Sequence, residues 1–141
     1  MKITRRNACL FLPLLGCRSA WSSETHSLAS SMQKFEELPV SREESGAFRS
    51  ILEGKTHTGD HLEVHETVLE PNAAPHPAHR HEGEELFLIS SGMLEFTIAG
   101  KSARLGAGSA AFVAANEEHG VRNVGSTPAQ YFVVTLGKKA D

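Results

Sequence analysis

The chain has 141 residues, 40% of them hydrophobic and 22% charged, enough for one globular domain with a core of useful size. Residues 1–22 carry four basic residues (Lys2, Arg5, Arg6, Arg18) and no acidic one. Without them the chain's 14 basic residues fall to 10 against 17 acidic, a net charge of −7. That balance excludes nucleic acid as a partner, because its binding needs a basic patch. Both cysteines, Cys9 and Cys17, also fall in this segment, which leaves the folded part with no disulfide, thiolate ligand or cysteine nucleophile.

The first 22 residues pair a basic start with a short apolar stretch, Ala8 to Cys17, interrupted by Pro13. It is too short to span a bilayer as a helix and reads as a cleaved export signal. The Arg5–Arg6 pair resembles a twin-arginine leader. Ala20-Trp21-Ser22 sets small residues at the −3 and −1 positions of a cut after Ser22, the favoured end. Leu14-Leu15-Gly16-Cys17 is similar to a lipobox instead, which would leave Cys17 as a lipid anchor. The expected location is therefore periplasmic or secreted, with a membrane-anchored lipoprotein as the alternative.

Residues 23–34, polar and rich in serine, read as a mobile linker, and residues 35–141 as one domain. Short strand-like stretches follow at 48–54, 61–71, 85–92, 93–100, 101–108, 109–114, 119–125 and 129–137, several alternating apolar with polar residues. Gly92 and Gly100 punctuate them where hairpins need positive φ, and Gly106 and Gly108 bracket the next turn. No stretch sustains a 3.6-residue period. The expectation is an all-β sandwich or barrel.

The chemistry concentrates in "PHPAHRHEGEELFLISSG", residues 75–92. His79 and His81 are two apart and share a face if the segment is extended. Glu85 opens the next strand on the face of Phe87 and Ile89, and His119 is the one histidine downstream. Imidazole plus carboxylate suits a divalent transition metal. Of the remaining histidines, His76 is three from His79 and is expected to face the other way. His57, His61 and His65 are expected at the surface or rim. Glu82 and Glu84 read as solvated turn residues. Phe87, Ile89, Phe96, Phe112 and Phe132 are the candidate interior walls, and Arg104 and Arg122 the cations that could turn inward, a solvated strand face being the expectation for both.

These residues resemble the two motifs of the cupin superfamily. The first is Gly, five residues, His-x-His, three or four residues, Glu, six residues, Gly; here it reads Ala73, His79-Arg80-His81, Glu85, Gly92. The second is Gly, five residues, Pro-x-Gly, two residues, His, three residues, Asn; here it reads Gly108, Ala114-Ala115-Asn116, His119, Asn123. The resemblance covers about residues 48–137. Its departures, Ala73, Ala114 and Asn116, concern backbone turns, where Asn72 and Asn116 tolerate the left-handed conformation.

The resemblance implies a double-stranded β-helix, or jelly-roll barrel, with His79, His81, Glu85 and His119 holding a divalent metal ion. Manganese or iron is expected first, with zinc or nickel as alternatives. Glu85 would tune the ion and take a proton in catalysis. Asn123 would fix a turn rather than bind metal. A small-molecule substrate and a homodimer formed through sheet edges are the expected partners. Three functions are compatible with it: a dioxygenase or other oxidoreductase, a metal-dependent isomerase or lyase, and an exported small-molecule-binding module without catalysis.

Overall fold

The computed structural model describes residues 27–137, so the export-signal and lipid-anchor expectations, including Arg5, Arg6 and Cys17, lie outside the described residues. Nine strands follow in order: β1 (Ser41–Glu43), β2 (Gly46–Lys55), β3 (His61–Leu69), β4 (Glu84–Ser91), β5 (Met93–Ile98), β6 (Lys101–Gly106), β7 (Ala110–Val113), β8 (His119–Asn123) and β9 (Ala129–Gly137). One 3-10 turn, Phe35–Glu37, is the single helical element among the described residues. The strands form two antiparallel sheets, β1-β2-β3-β9-β4-β7 and β6-β5-β8, the all-β jelly roll that the sequence implied.

Alternation builds the core. Along β9, Ala129, Tyr131, Val133 and Thr135 are buried while the residues between them are not. Phe87 and Ile89 of β4 face Leu94 and Phe96 of the opposite sheet, and all four are at most 5% exposed. The Phe87 and Phe96 rings meet edge-on with centroids 5.1 Å apart, a geometry worth about 1 kcal/mol beyond the area it buries. Phe112 and Phe132 correct the expected wall. Phe112 is 57% exposed, because Ala111 and Val113 are the inward residues of β7, and Phe132 lies on the outer face between inward Tyr131 and Val133.

Strand β1 was not foreseen: Ser-Arg-Glu is exposed throughout and carries no apolar alternation. It exists because Gly46 lets the chain turn back, with φ +144° and its α-carbon so near the Val68 carbonyl that a Cβ would collide with it. Ser27 bridges Lys55, and the Leu28 N–H donates to the Lys55 carbonyl at 2.7 Å, so the start of residues 27–34 is attached to β2.

On the outer face of the larger sheet, Glu66 is fully buried. Its two oxygens accept from Arg49 and from Gln130, each at 2.8 Å. The Arg49 guanidinium in turn lies 4.5 Å above the Phe35 ring, which explains why the 3-10 turn seats there. Asn123 fixes the β8 end as expected. It is fully buried, donates to the carbonyls of Leu69 and Thr127, and accepts from the Gly125 N–H, each at 2.9 Å. Asn72 and Asn116 both take positive φ (64° and 65°), the role given them in place of glycine.

Candidate metal centre

His79 and His81 lie on the short approach to β4, and the backbone of His79 pairs with that of His119 at the start of β8. The two residues exchange both hydrogen bonds, at 3.0 and 2.9 Å. This pair closes the segment before β4 onto the smaller sheet and brings the two motifs together. The ligand-capable ring nitrogens of His79, His81 and His119 lie within 4.8 Å of one another. Glu85, at the inward side of β4, joins them, with Oε1 3.4 Å from His81 Nε2 and Oε2 3.1 Å from His119 Nε2. All four residues named from the sequence are thus in one place.

The rings of His81 and His119 are fixed by their other nitrogens. His81 Nδ1 lies 2.9 Å from the Gly83 carbonyl and His119 Nδ1 2.9 Å from the Glu117 carbonyl. A carbonyl can only accept, so each Nδ1 carries its proton, and in the neutral ring Nε2 is the nitrogen left to bind a metal. This is how metal-binding histidines are held. Thr135 supports the carboxylate, its hydroxyl donating to Glu85 Oε1 at 3.4 Å.

These residues fit a divalent cation by a direct test. Among the described residues only three buried side-chain polar atoms lack a hydrogen-bond partner, and two of them are His79 Nδ1 and His119 Nε2. His119 Nε2 lies near Glu85 but is not aligned to hydrogen-bond it. Unpaired buried nitrogens are costly, and a cation bound at both lone pairs removes that cost.

The electrostatics agree. Burial lowers the His79 pKa, and the neighbouring His76, His119 and His81 push it the same way, so it keeps its lone pair. Burial alone would raise the Glu85 pKa, but the adjacent His119 and His81 outweigh it and hold the carboxyl ionised below its ordinary value of 4.5. His119 moves upward from 6.5, because contact with Glu85 outweighs its burial.

A cavity of about 210 Å³ opens beside the centre, lined by Glu85 and His119 together with Phe48, His65, Thr67 and Tyr131. Pro75 and His76 line it too, and they share with Phe48 and Thr67 a neighbouring cleft. Among the described residues no lysine or arginine lines the cavity. Arg104 is exposed and paired with Glu95 at 3.3 Å, and Arg122 is exposed, in keeping with the expectation for both.

Two histidines depart from expectation. His76 does not face away: the chain at 74–79 is bent rather than a regular strand, and the His76 ring meets His79 edge-on with centroids 4.3 Å apart. His65 is not at the surface but lines the cavity. Its spacing from His57 and His61 suggested one group, yet His57 is exposed and His61 lies beside Glu53 at 3.8 Å. The signal that could have found His65 is the period of β3. It falls two residues before Thr67 and four before Leu69, on the face those buried residues fix as inward. Glu82 and Glu84 are both exposed, as expected, although Glu84 already opens β4 rather than belonging to the turn.

Comparison with known proteins agrees with the geometry. A search of curated proteins finds no match. Among solved structures, an RmlC-like cupin from Shewanella frigidimarina is similar over 79% of this chain and 94% of its own, with 16% identity and a TM-score of 0.66. TT1209 from Thermus thermophilus is 25% identical over 77% of this chain and 98% of its own, with a TM-score of 0.64. A protein of Thermotoga maritima described as a predicted oxalate decarboxylase is 22% identical over 77% of this chain and 100% of its own, with a TM-score of 0.63. The cupin domain family model matches residues 65–135, half of the chain and both histidine motifs, and the chain belongs to that family.

Proposed function

We propose that this protein is an exported, metal-dependent cupin enzyme acting on a small oxygen-rich molecule, with dioxygenase chemistry as its first reading. One observation carries it: two histidine Nε2 atoms with fixed tautomers and the ionised Glu85 carboxylate converge beside a cavity large enough for a small molecule. His79, His81, Glu85 and His119 would hold a divalent ion, manganese or iron before zinc or nickel. Bound there, the ion would supply dioxygen activation if redox-active and polarisation of a substrate oxygen if not.

The chain's own residues do the rest. Glu85 brings one negative charge to the centre, and Thr135 steadies it. Phe48, Phe87 and Val133 give the cavity an apolar wall beside the polar metal side. The test is oxygen uptake by the manganese- or iron-loaded protein over catechol-like and diketone substrates. Uptake that depends on His81 supports the dioxygenase reading; a metal-loaded protein that turns these substrates over without oxygen moves it to isomerase or lyase chemistry. That second reading is favoured by the polar cavity wall at His65, and the Thermotoga neighbour's description as a predicted oxalate decarboxylase is consistent with it. Binding of a small molecule without turnover would leave the protein a binding module.

A further inference from the structure

His65 is a cavity-lining histidine with no part in the metal centre. Its Nδ1 lies 3.2 Å from Oε1 of Glu63, two residues back on the same inward face of β3. A carboxylate only accepts, so Nδ1 carries the proton and Nε2 keeps its lone pair on the ring edge away from Glu63. The Phe48 ring packs on the imidazole with centroids 4.8 Å apart, leaving the ring little freedom to turn. Burial holds His65 neutral, the Glu63, Glu85 and Glu66 charges opposing without reversing it. A neutral imidazole with an oriented lone pair, backed by a carboxylate that stabilises its protonated form, is the equipment of a general base. It faces the same enclosed space as Glu85 and His119.

We propose that His65, oriented by Glu63, is the proton-transfer group of this cavity, and that the substrate is a small carbon acid whose acidic C–H lies beside a carbonyl group. His65 Nε2 takes the proton. The C–H electron pair becomes the C=C bond of an enolate, and the carbonyl oxygen takes the negative charge. Glu63 balances the imidazolium, which returns the proton to carbon or to oxygen. No oxidant is consumed. The enolate is the electron-rich form that either an oxygenase or an isomerase and lyase would go on to use, so the inference deepens the metal-enzyme reading and rests on it.

The test has two arms. In the first, metal-free protein carrying 15N-labelled histidine is examined by NMR near neutral pH. His65 should be the Nδ1–H tautomer, and Glu63→Gln should shift it toward a mixture. A wild-type ring carrying its proton on Nε2 overturns the proposal. In the second, protein loaded separately with manganese and zinc is given pyruvate or 3-hydroxybutan-2-one in deuterium oxide, and deuterium uptake on carbon is read by mass spectrometry. His65→Gln should slow the uptake roughly 10²- to 10⁴-fold, with metal content and melting temperature unchanged. Equal rates in wild type and His65→Gln overturn the proposal, as does absence of metal-dependent uptake with both probes. Failure to bind metal overturns the metal-enzyme reading instead, and the tautomer of His65 in metal-free protein then decides this inference.

Discussion

His79 and His119, forty residues apart, exchange both of their backbone hydrogen bonds at 3.0 and 2.9 Å. The contact is an isolated bridge outside the main ladders. It fixes the spacing of two side chains that the sequence sets on separate segments, so that Glu85, which follows His79 and His81 into β4, comes within 3.1 Å of His119 and 3.4 Å of His81. The centre is therefore a product of backbone pairing first and of side-chain chemistry second.

His81→Ala should abolish tight metal binding and leave the barrel folded. Loss of an outer hydrogen bond around a metal costs about 10- to 100-fold in affinity, so loss of a ligand should exceed that. His81 lies outside the buried apolar core. Calorimetric titration with manganese or zinc, beside a circular dichroism spectrum, reads both; retained affinity would contradict the site.

Glu85 and His119 make metal-free stability depend on pH with a definite sign. The Glu85 pKa is lowered from 4.5 and that of His119 raised from 6.5. The lowered carboxylate contributes stability that is present above 4.5 and lost as pH falls through its folded value. The raised imidazole contributes stability that is present below 6.5 and lost as pH rises through its folded value. Their joint contribution is thus complete between pH 4.5 and 6.5. Glu85→Gln should lower the melting temperature most inside that window and progressively less above it.

Metal affinity should fall as pH is lowered, because the ligands bind metal only in their deprotonated forms. His119, with its raised pKa, should be the first ligand to be protonated, and His79, held neutral by burial, should follow at lower pH. Titrations in two buffers of different ionisation enthalpy should show proton release on binding that grows as the pH is lowered from neutral toward about 6.5.

Arg49→Met should destabilise the domain by about 3–5 kcal/mol, because it leaves Glu66 fully buried without its cation. The double variant Arg49→Met, Glu66→Met should recover part of that loss. Urea denaturation of the three proteins measures it. A single variant as stable as wild type would show that Gln130 alone satisfies the carboxylate.

Asn123→Ala should cost about 3 kcal/mol, since the Leu69 and Thr127 carbonyls and the Gly125 N–H all lose the partner that this one side chain supplies. Metal content should be unaffected, which separates a turn-fixing residue from a ligand.

The barrel was legible because alternation and turn glycines are local signals: β4, β5 and β9 carry them clearly, and Gly92, Gly100 and Gly108 do take positive φ. The polar strand β1 carries no such signal, and its pairing depends on a turn whose cause is the close approach of Gly46 to Val68. The convergence of His79, His81, Glu85 and His119 was legible through motif spacing, since each residue lies at a strand end or on an inward face. His65 and His76 were not. His65 looked like one of a run at four-residue spacing, and only the burial of Thr67 and Leu69 shows which face of β3 is inside. His76 was placed by assuming a regular strand where the chain bends. Phe112 was a candidate for the interior wall, although the inward positions of β7 belong to Ala111 and Val113.

The most direct test of the metal centre is elemental analysis of the chain beginning near Ser23, purified without chelator or metal-affinity resin. The structure predicts about one divalent ion per chain, removed by His81→Ala. A chain that holds no metal, even after incubation with manganese, iron, zinc and nickel in turn, would contradict it and leave the four converging side chains as a polar rim.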